Sequence, residues 1–376
     1  MALYTSKKLS CYKWLCTAIS TFNLAQRQLL TMPARDEDWQ EIIYLGSIHG
    51  VLPRLHQQLK VSHLGLLPTD VAEALEGFYE LNCLFNHRLR EQIITVTLLL
   101  NSNNIRPVWL KGASMLMNHD WKTSSRSMLD LDLWIPEQND QIKALECLRK
   151  DGYFIQPESV GVDYSLCQHY APVIKDGQPA RLEIHRHVVS LQCASLLMDK
   201  NALKHVIWME NDGLHFGILN SDDQIMQSYL QCTEQASDCL HPRGTARLIK
   251  MVDFLDRMDS KDTLQKWFLQ NSVINQHPWK QKSKQFGSHL REFFYIDIPI
   301  SSDMAYLRRI SFSLNFPKLE MLAYIFKHGL YLFVNGRLGK INTWPRKIKG
   351  QLMILKNSGL KKPLSHVDLT GQQDNI

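Results

Sequence analysis

The sequence predicts an α+β fold in which a small mixed-sheet core is flanked by helical regions at both ends of the chain. Apolar residues recur at helical spacing before residue 104 and again after residue 191. The dense strand patterns lie between these regions, at residues 105–190. The chain has 376 residues, 44% of them hydrophobic and 21% charged, which suits several packed units and excludes a disordered chain.

The first region, residues 1–104, is predicted to be helical. Acidic residues at 36–38 precede a periodic apolar run, which is typical of a helix start. Residues 71–100 then form a long amphipathic pattern that favours a single helix. The polar residues at 101–104 interrupt this pattern and separate the helical region from the strands that follow.

The predicted αβ core alternates short strands with helices. An apolar run suits a buried strand, and strict alternation of apolar and polar residues suits a strand with one buried face. The predicted elements are a strand at 105–110, a helix at 113–118, a strand at 128–135, a helix at 141–150, an extended piece from 153 and a strand at 181–189.

The C-terminal part of the chain returns to helical spacing. Residues 191–340 form the second helical region, with helices predicted at 221–237 and 245–258. Residues 341–376 form a basic tail, which we expect to be partly disordered because apolar residues disappear towards its end.

Charge and cysteine content restrict the class of protein. The net charge of +6 permits a polyanionic partner without requiring one. The 8 cysteines include no CxxC pair, which predicts reduced thiols and a cytoplasmic location. No apolar run reaches the length of about 18 residues that a membrane-spanning helix needs, so we expect no membrane span.

Two carboxylates on the strand at 128–135 are the most informative feature. Residues two apart share a strand face, so Asp130 and Asp132 point the same way, while Leu129, Leu131 and Leu133 are predicted to face the core. The two carboxylates repel each other, and a divalent cation such as Mg²⁺ bound to them removes this cost. Mg²⁺ usually takes further ligands from substrate phosphates. The alternative is an edge strand with both aspartates exposed to solvent.

Residues on either side of this strand favour the metal site. Lys111 and Gly112 follow a strand end, where glycine allows a phosphate to approach the backbone and free N–H groups attract anions. Glu183 could complete a three-carboxylate cluster that holds two cations. His185 and His187 share its strand face. Zinc binding by this pair is disfavoured, and we expect His185 to contact a phosphate or to orient Glu183.

Together these motifs resemble the nucleotidyltransferase superfamily related to DNA polymerase β, and within it an uncharacterised nucleotidyltransferase family of bacterial proteins. The motifs that carry the resemblance are Leu110-Lys111-Gly112, Arg126 with Asp130-Leu131-Asp132-Leu133, and Leu182-Glu183-Ile184-His185. Weaker similarities are Trp39 with His49-Gly50-Val51, the segment 168–172, and Arg247 with Val252-Asp253. The resemblance covers roughly residues 36–260.

The resemblance implies an Mg²⁺-dependent nucleotidyltransferase core, with Mn²⁺ as the alternative ion, that moves a nucleoside monophosphate from a nucleoside triphosphate to an acceptor hydroxyl. Asp130, Asp132 and Glu183 would hold two cations, and Glu183 would alternatively act as the general base. The implied nucleotide contacts are Lys111, Gly112, Ser114, Arg126 and His185. We expect Asp253 foremost to be an ordinary exposed acid on a helix. The alternative is that Asp253 supports the site.

Several alternatives stay open at the level of sequence. The acceptor would be a small molecule, a sugar or a protein, and no motif selects ATP or another nucleotide. A toxin-like enzyme that modifies RNA is motivated by the basic residues at 344–362, but a solvated amphipathic helix explains them at least as well, so nucleic acid is not favoured. A phosphotransferase and a non-catalytic nucleotide-binding protein of the same fold are the remaining alternatives.

Overall fold

The computed structural model describes most of the first 315 residues. The described ranges are 7–22, 30–60, 64–118, 125–165, 167–211, 213–237, 247–258, 260–271, 274, 279–298 and 303–315. The basic tail at 341–376, together with its predicted disorder and the RNA contact that it motivates, lies outside the described residues.

In the described residues, four α-helices precede the sheet, in the region that the sequence predicts to be helical. They are α1 (Lys7–Ile19), α2 (Asp36–His49), α3 (Leu52–Lys60) and α4 (Thr69–Asn101). The acidic first turn of α2 suits the positive end of a helix. Gly50 ends this helix with a φ of 70°, a conformation that costs glycine little.

The middle of the chain alternates strands and helices. Its elements are β1 (Val108–Trp109), α5 (Lys111–Met117), β2 (Asp130–Trp134), α6 (Gln138–Lys150), β3 (Phe154–Ile155), β4 (Val173–Ile174) and β5 (Arg181–His185). The strands predicted at 128–135 and 181–189 are both present but shorter. Since β5 ends at His185, the prediction that His187 lies on the same strand is wrong.

The last described part contains two strands that the sequence does not predict. The elements are α7 (Asp199–Lys204), β6 (Ile207–Asn211), β7 (Leu214–Ile218), α8 (Ser221–Ser237), α9 (Leu248–Leu255), α10 (Lys261–Gln270), α11 (Lys280–Phe294) and α12 (Met304–Asn315). Strands β6 and β7 form a hairpin inside the region predicted to be helical. Helix α8 has the predicted bounds, and α9 lies within the predicted segment 245–258.

The seven strands form one mixed sheet in the order β3-β4-β5-β2-β1-β7-β6. Strand β2 is parallel to β5, and β1 is parallel to β7. The other neighbouring strands are antiparallel. The α+β class with a mixed sheet and flanking helices is therefore confirmed. The two strands that carry the predicted acids, β2 and β5, are direct neighbours in the sheet.

Two hydrophobic cores organise the described residues. One core packs the sheet against α4, α5 and α6, with Trp109, Leu131 and Leu182 fully buried. The other core joins the N-terminal helices to the C-terminal ones and includes Tyr12 and Phe293, whose rings meet edge to face at 5.2 Å. The two helical regions on either side of the sheet in sequence thus share one core in space.

Leu129 does not face the core. Its side chain is 69% exposed, whereas Leu131 and Leu133 are buried as predicted. The strand begins only at Asp130, so the alternation that would bury Leu129 has not yet started. Leu129 instead lines a cavity of about 470 Å³ between α2 and α4, beside the segment that leads into β2.

Helix α9 is fixed by polar contacts from the N-terminal helices. His49 accepts a hydrogen bond from the backbone N–H of Leu248 at 3.3 Å. Arg54 donates to Asp256 at 2.6 Å, and both side chains are buried. Because unpaired buried charges are costly, these contacts set the position of α9 against the N-terminal helices.

None of the helices in the described ranges is both long and apolar enough to cross a membrane. The cysteines in these ranges are free thiols, which agrees with the spacing of cysteines in the sequence.

Replacing Arg54 by Met is expected to lower the free energy of unfolding by about 3 to 5 kcal/mol, because the buried carboxylate of Asp256 loses its ionic partner. As a control, replacing Asp297 by Ala removes the 81% exposed partner of Arg291 and should cost less than about 1 kcal/mol. Urea titration followed by circular dichroism measures both values. Equal losses in the two variants would contradict the importance of the buried pair.

Candidate active site

Strands β2 and β5 bring the predicted acids together. In their parallel register, Asp132 lies opposite Glu183, and Asp130 lies opposite Arg181. Asp132 and Glu183 are buried, while Asp130 is half-buried at the start of its strand. The sequence predicted both strands but not their pairing, so the side-by-side position of two carboxylates in the sheet comes from the structure.

Helix α4 holds the beginnings of both strands through buried amide side chains. Asn86 donates to the backbone oxygen of Arg126 at 3.0 Å, and Asn82 donates to the same oxygen at 3.3 Å. Gln92 donates to the oxygen of Ala180 at 2.8 Å and accepts from its N–H at 3.1 Å. These contacts fix the segments just before β2 and β5, so the relative position of the two acids depends on α4.

Asp132 is the electrostatic centre of the site. Its Oδ1 lies 2.5 Å from Nζ of Lys111 and 2.7 Å from Nε2 of His185. Burial opposes ionisation of Asp132, but the Lys111 ammonium and the His185 hydrogen bond outweigh it and hold the pKa of this carboxyl well below its usual range. Asp132 is therefore an anion at neutral pH. His185 therefore contacts Asp132, whereas we expected it to contact a phosphate or to orient Glu183.

Glu183 has the opposite tendency. Burial, and then the negative charge of Asp132, raise the pKa of the Glu183 carboxyl above its ordinary value. Nε2 of His169 lies 3.7 Å from its Oε2, and Nε of Arg181 lies 3.2 Å from its Oε1 without hydrogen-bond alignment. Nδ1 of His169 is 2.7 Å from the carbonyl of Tyr170, to which it donates its proton. The other ring nitrogen, Nε2, thus faces Glu183.

Asp132, Glu183 and His185 form a group that could hold a metal ion. One ligand atom from each of the three lies within 4.8 Å of the others. Two carboxylate oxygens suit a hard divalent cation, and the imidazole broadens the choice of ion. Asp130 does not join this group, since its Oδ2 instead contacts Arg181 at 3.4 Å. The carboxylate pair therefore fits a cation, while the part of Asp130 in such a site stays a prediction.

The turn between β1 and α5 directs Lys111 at Asp132. Lys111 itself has a φ of 52°, the left-handed conformation that non-glycine residues rarely adopt and that recurs at functional sites. Ser114, which is 2% exposed, donates to the Lys111 carbonyl at 2.7 Å and stabilises the turn. Ser114 thus supports Lys111 and presents little surface to a ligand.

Gly112 serves close packing in this turn. A Cβ at this position would lie 2.3 Å from Nη1 of Arg126 and 2.3 Å from Sδ of Met128. Any larger residue would displace one of these two side chains. The glycine that the sequence suggests as a phosphate contact therefore also allows Arg126 to lie against the start of α5.

Arg126 is paired with Asp253 of α9. Its Nε and Nη2 each donate to one carboxylate oxygen of Asp253 at 2.8 Å, and both residues are buried. The expectation that Asp253 is an ordinary exposed helix acid is therefore wrong. The guanidinium holds the pKa of Asp253 below its ordinary value despite burial. The pair joins the segment before β2 to the C-terminal helices.

The side chain of His187 does not contact the site acids, although its backbone oxygen lies 3.3 Å from Nδ1 of His185. His187 lies beyond β5, where its Nδ1 is 2.6 Å from Oδ2 of Asp199 at the start of α7. His169 and Arg181, in contrast, contact the site acids and are not among the predicted site residues. The only signal for His169 was its place in the segment 168–172. For Arg181 a further signal was present, because residues two apart share a strand face and Arg181 lies two residues before Glu183.

The geometry agrees with one comparison with known proteins. A family model described as an uncharacterised nucleotidyltransferase matches residues 35–271. No curated protein and no solved structure matches the chain significantly. The matched range contains the sheet, α4, the Asp132–Glu183 pair and α9, and it exceeds half of the 376 residues. The chain therefore belongs to the uncharacterised nucleotidyltransferase family.

Proposed function

We propose that this protein transfers a nucleoside monophosphate from a nucleoside triphosphate to an acceptor hydroxyl. The observation that carries the proposal is the pairing of Asp132 with Glu183 across β2 and β5, in a buried position with Lys111 and His185 around it. Membership in a nucleotidyltransferase family makes a nucleotide the expected substrate. The acceptor would be a small molecule, a sugar or a protein.

In this reaction the acceptor oxygen bonds to the α-phosphorus while the bond from that phosphorus to the β-bridging oxygen breaks. Pyrophosphate leaves, and the hydroxyl proton goes to a base. Glu183 suits that role because its raised pKa favours uptake of a proton. Asp132, which stays ionised, suits a ligand role.

Asp130, Asp132 and Glu183 would hold Mg²⁺ or Mn²⁺. When bound, the cation would neutralise charge on the phosphate oxygens and lower the pKa of a bound hydroxyl. Lys111 contacts the carboxylate of Asp132. A cation bound to Asp132 would take over the charge of this carboxylate, and the Lys111 ammonium could then turn towards a phosphate. The strained turn at Lys111 and the Ser114 hydrogen bond keep it within reach of either partner.

Replacing Asp132 by Asn or Glu183 by Gln is expected to lower transfer of label from an α-labelled nucleotide to acceptors in a cell extract by at least about 100-fold. Each change removes one charge with little change in volume. As a control, Glu210 is exposed on the edge strand β6, and its change to Gln should leave transfer unchanged. Retained transfer in the Asp132 and Glu183 variants would refute the mechanism.

The position of the label distinguishes nucleotidyl transfer from phosphoryl transfer. We expect label on the α-phosphate to reach the acceptor and label on the γ-phosphate to leave in pyrophosphate. Transfer of γ-label instead would identify a phosphotransferase of the same fold, and the mass added to the acceptor would give the same answer.

Replacing Glu183 by Gln is also expected to raise the stability of the protein at neutral pH. The pKa of Glu183 is higher in the folded than in the unfolded state, so its ionisation opposes folding. The wild type therefore loses stability as pH rises from the ordinary glutamate pKa, about 4.3, through the raised folded pKa. The stability that the Gln variant gains over the wild type should therefore increase across this pH window and stay constant above it.

Asp132 gives the matched comparison. Its pKa is lowered in the folded state, so Asn at this position is expected to reduce stability at neutral pH, and the loss should shrink as the pH falls through the folded pKa of Asp132. Urea unfolding at a series of pH values measures both variants. Stability changes of the same sign at neutral pH would contradict the opposite pKa shifts.

A further inference from the structure

The cations predicted to meet the substrate phosphates are already paired within the protein. Lys111 lies against Asp132, and Arg126 is held by two hydrogen bonds to Asp253. Arg181 is shared between Asp130 and Glu183. A triphosphate carries several negative charges at neutral pH, so its binding calls for cations beyond those that the site acids already engage.

Two further cations lie at the start of α9, the helix that carries Asp253. Lys250 and Asp253 are three residues apart, which makes them neighbours on the helix surface, and Arg247 is the residue directly before the first turn. Asp253 fixes the direction of this surface, because it bonds Arg126 in the segment that leads into β2. Lys250 therefore lies on the side of α9 that meets this segment, and Arg247 lies at the amino-terminal end of the same helix.

Neither cation has an ionic partner among the residues that the structure describes. Nε of Arg247 is buried and donates to no acceptor. No carboxylate of the described chain lies within ion-pair distance of the Lys250 ammonium, whose pKa is lowered by burial and then by the charges of Arg126 and Lys111. Burial lowers the pKa of Arg247, and the negative charge of Asp130 acts on it in the opposite direction. Both cations thus lie near the acids without being neutralised by them.

We infer that Arg247 and Lys250 bind the polyphosphate tail of the nucleotide at the amino-terminal end of α9. This inference rests on the proposed function and adds to it the residues that receive the β- and γ-phosphates. A half-buried guanidinium with an unused donor suits a phosphate oxygen, and hydrogen bonds between ionised groups are strong where water is partly excluded. The backbone of the first turn of α9 adds a favourable field for an anion.

The position of α9 gives the N-terminal helices a part in nucleotide binding. His49 accepts the N–H of Leu248, the residue between Arg247 and the rest of the helix, and Arg54 holds Asp256. These contacts fix the helix end that carries the two cations. His49 is thus a positioning residue that acts through α9 and does not itself contact phosphate.

Inorganic tripolyphosphate tests the site without a base or sugar. Its binding to the full-length protein in the presence of Mg²⁺ is measured by isothermal titration calorimetry for the wild type and for Arg247→Gln and Lys250→Gln. We expect each change to raise the Kd roughly ten-fold, in line with the loss of one charge-assisted hydrogen bond. A Kd within about two-fold of wild type in both variants, or no binding by the wild type, would overturn the inference.

Two further variants separate charge from folding. Lys266 is exposed on α10, and Lys266→Gln changes the net charge equally, so we expect it to leave the Kd unchanged. Lys250→Arg keeps the charge and should retain tripolyphosphate binding. Mn²⁺ binding, followed by electron paramagnetic resonance, should stay at the wild-type level in all four variants, because the carboxylates are untouched. Loss of tripolyphosphate binding in Lys266→Gln would mean that net charge alone sets the affinity, which also overturns the inference.

Competition identifies which phosphate compound occupies the site. If tripolyphosphate and a nucleoside triphosphate compete, and both weaken in the Arg247 and Lys250 variants, the cations serve the nucleotide. If they do not compete, the site takes a phosphate from another source and the assignment to the nucleotide is wrong. Failure of the proposed function is seen separately, as absence of label transfer by the wild type while tripolyphosphate still binds through these two cations.

Discussion

The side-by-side position of Asp132 and Glu183 in a buried part of the sheet is the constraint on which the rest of the structure depends. Two carboxylates at adjacent register positions repel each other more strongly in a protein interior than in water. Neighbouring side chains offset this repulsion. Lys111 and His185 contact Asp132, and Arg181 and His169 lie beside Glu183. A fold without function would have little reason to retain such a pair, since apolar residues of similar volume would stabilise the sheet at least as well.

The same constraint explains why distant parts of the chain are needed. Lys111 reaches Asp132 only from a left-handed turn, and that turn relies on Ser114 and on the absence of a side chain at Gly112. Arg126 fills the space above Gly112 and is itself held by Asp253. Helix α9 is then fixed by the N-terminal helices, and the family match includes both. The helical regions are parts of the site as well as of the fold.

Much of this architecture could be predicted from the sequence, and the exceptions have physical reasons. Helical periodicity located α4 and α8 closely, because long amphipathic patterns are unambiguous. The hairpin β6–β7 was missed because its first strand lies exposed at the sheet edge and shows no alternation of buried residues. Leu129 was misplaced because alternation does not reveal where a strand begins. Asp253 was expected foremost to be exposed, and the amides of α4 were not singled out, because a polar residue on a helix is expected to be exposed until its buried partner is known.

Environment assigns different chemistry to two acids that the sequence treats alike. Asp132 has two strong hydrogen-bond donors on one oxygen, so it stays ionised. Glu183 has only a distant imidazole and a poorly aligned guanidinium, and it shares the field of Asp132, so its proton is held more tightly. Pairs of titratable groups whose pKa values are pushed apart are typical of sites where one group binds charge and the other moves a proton. Because β2 and β5 are parallel and in register, the two roles would lie next to each other in the transfer that we propose.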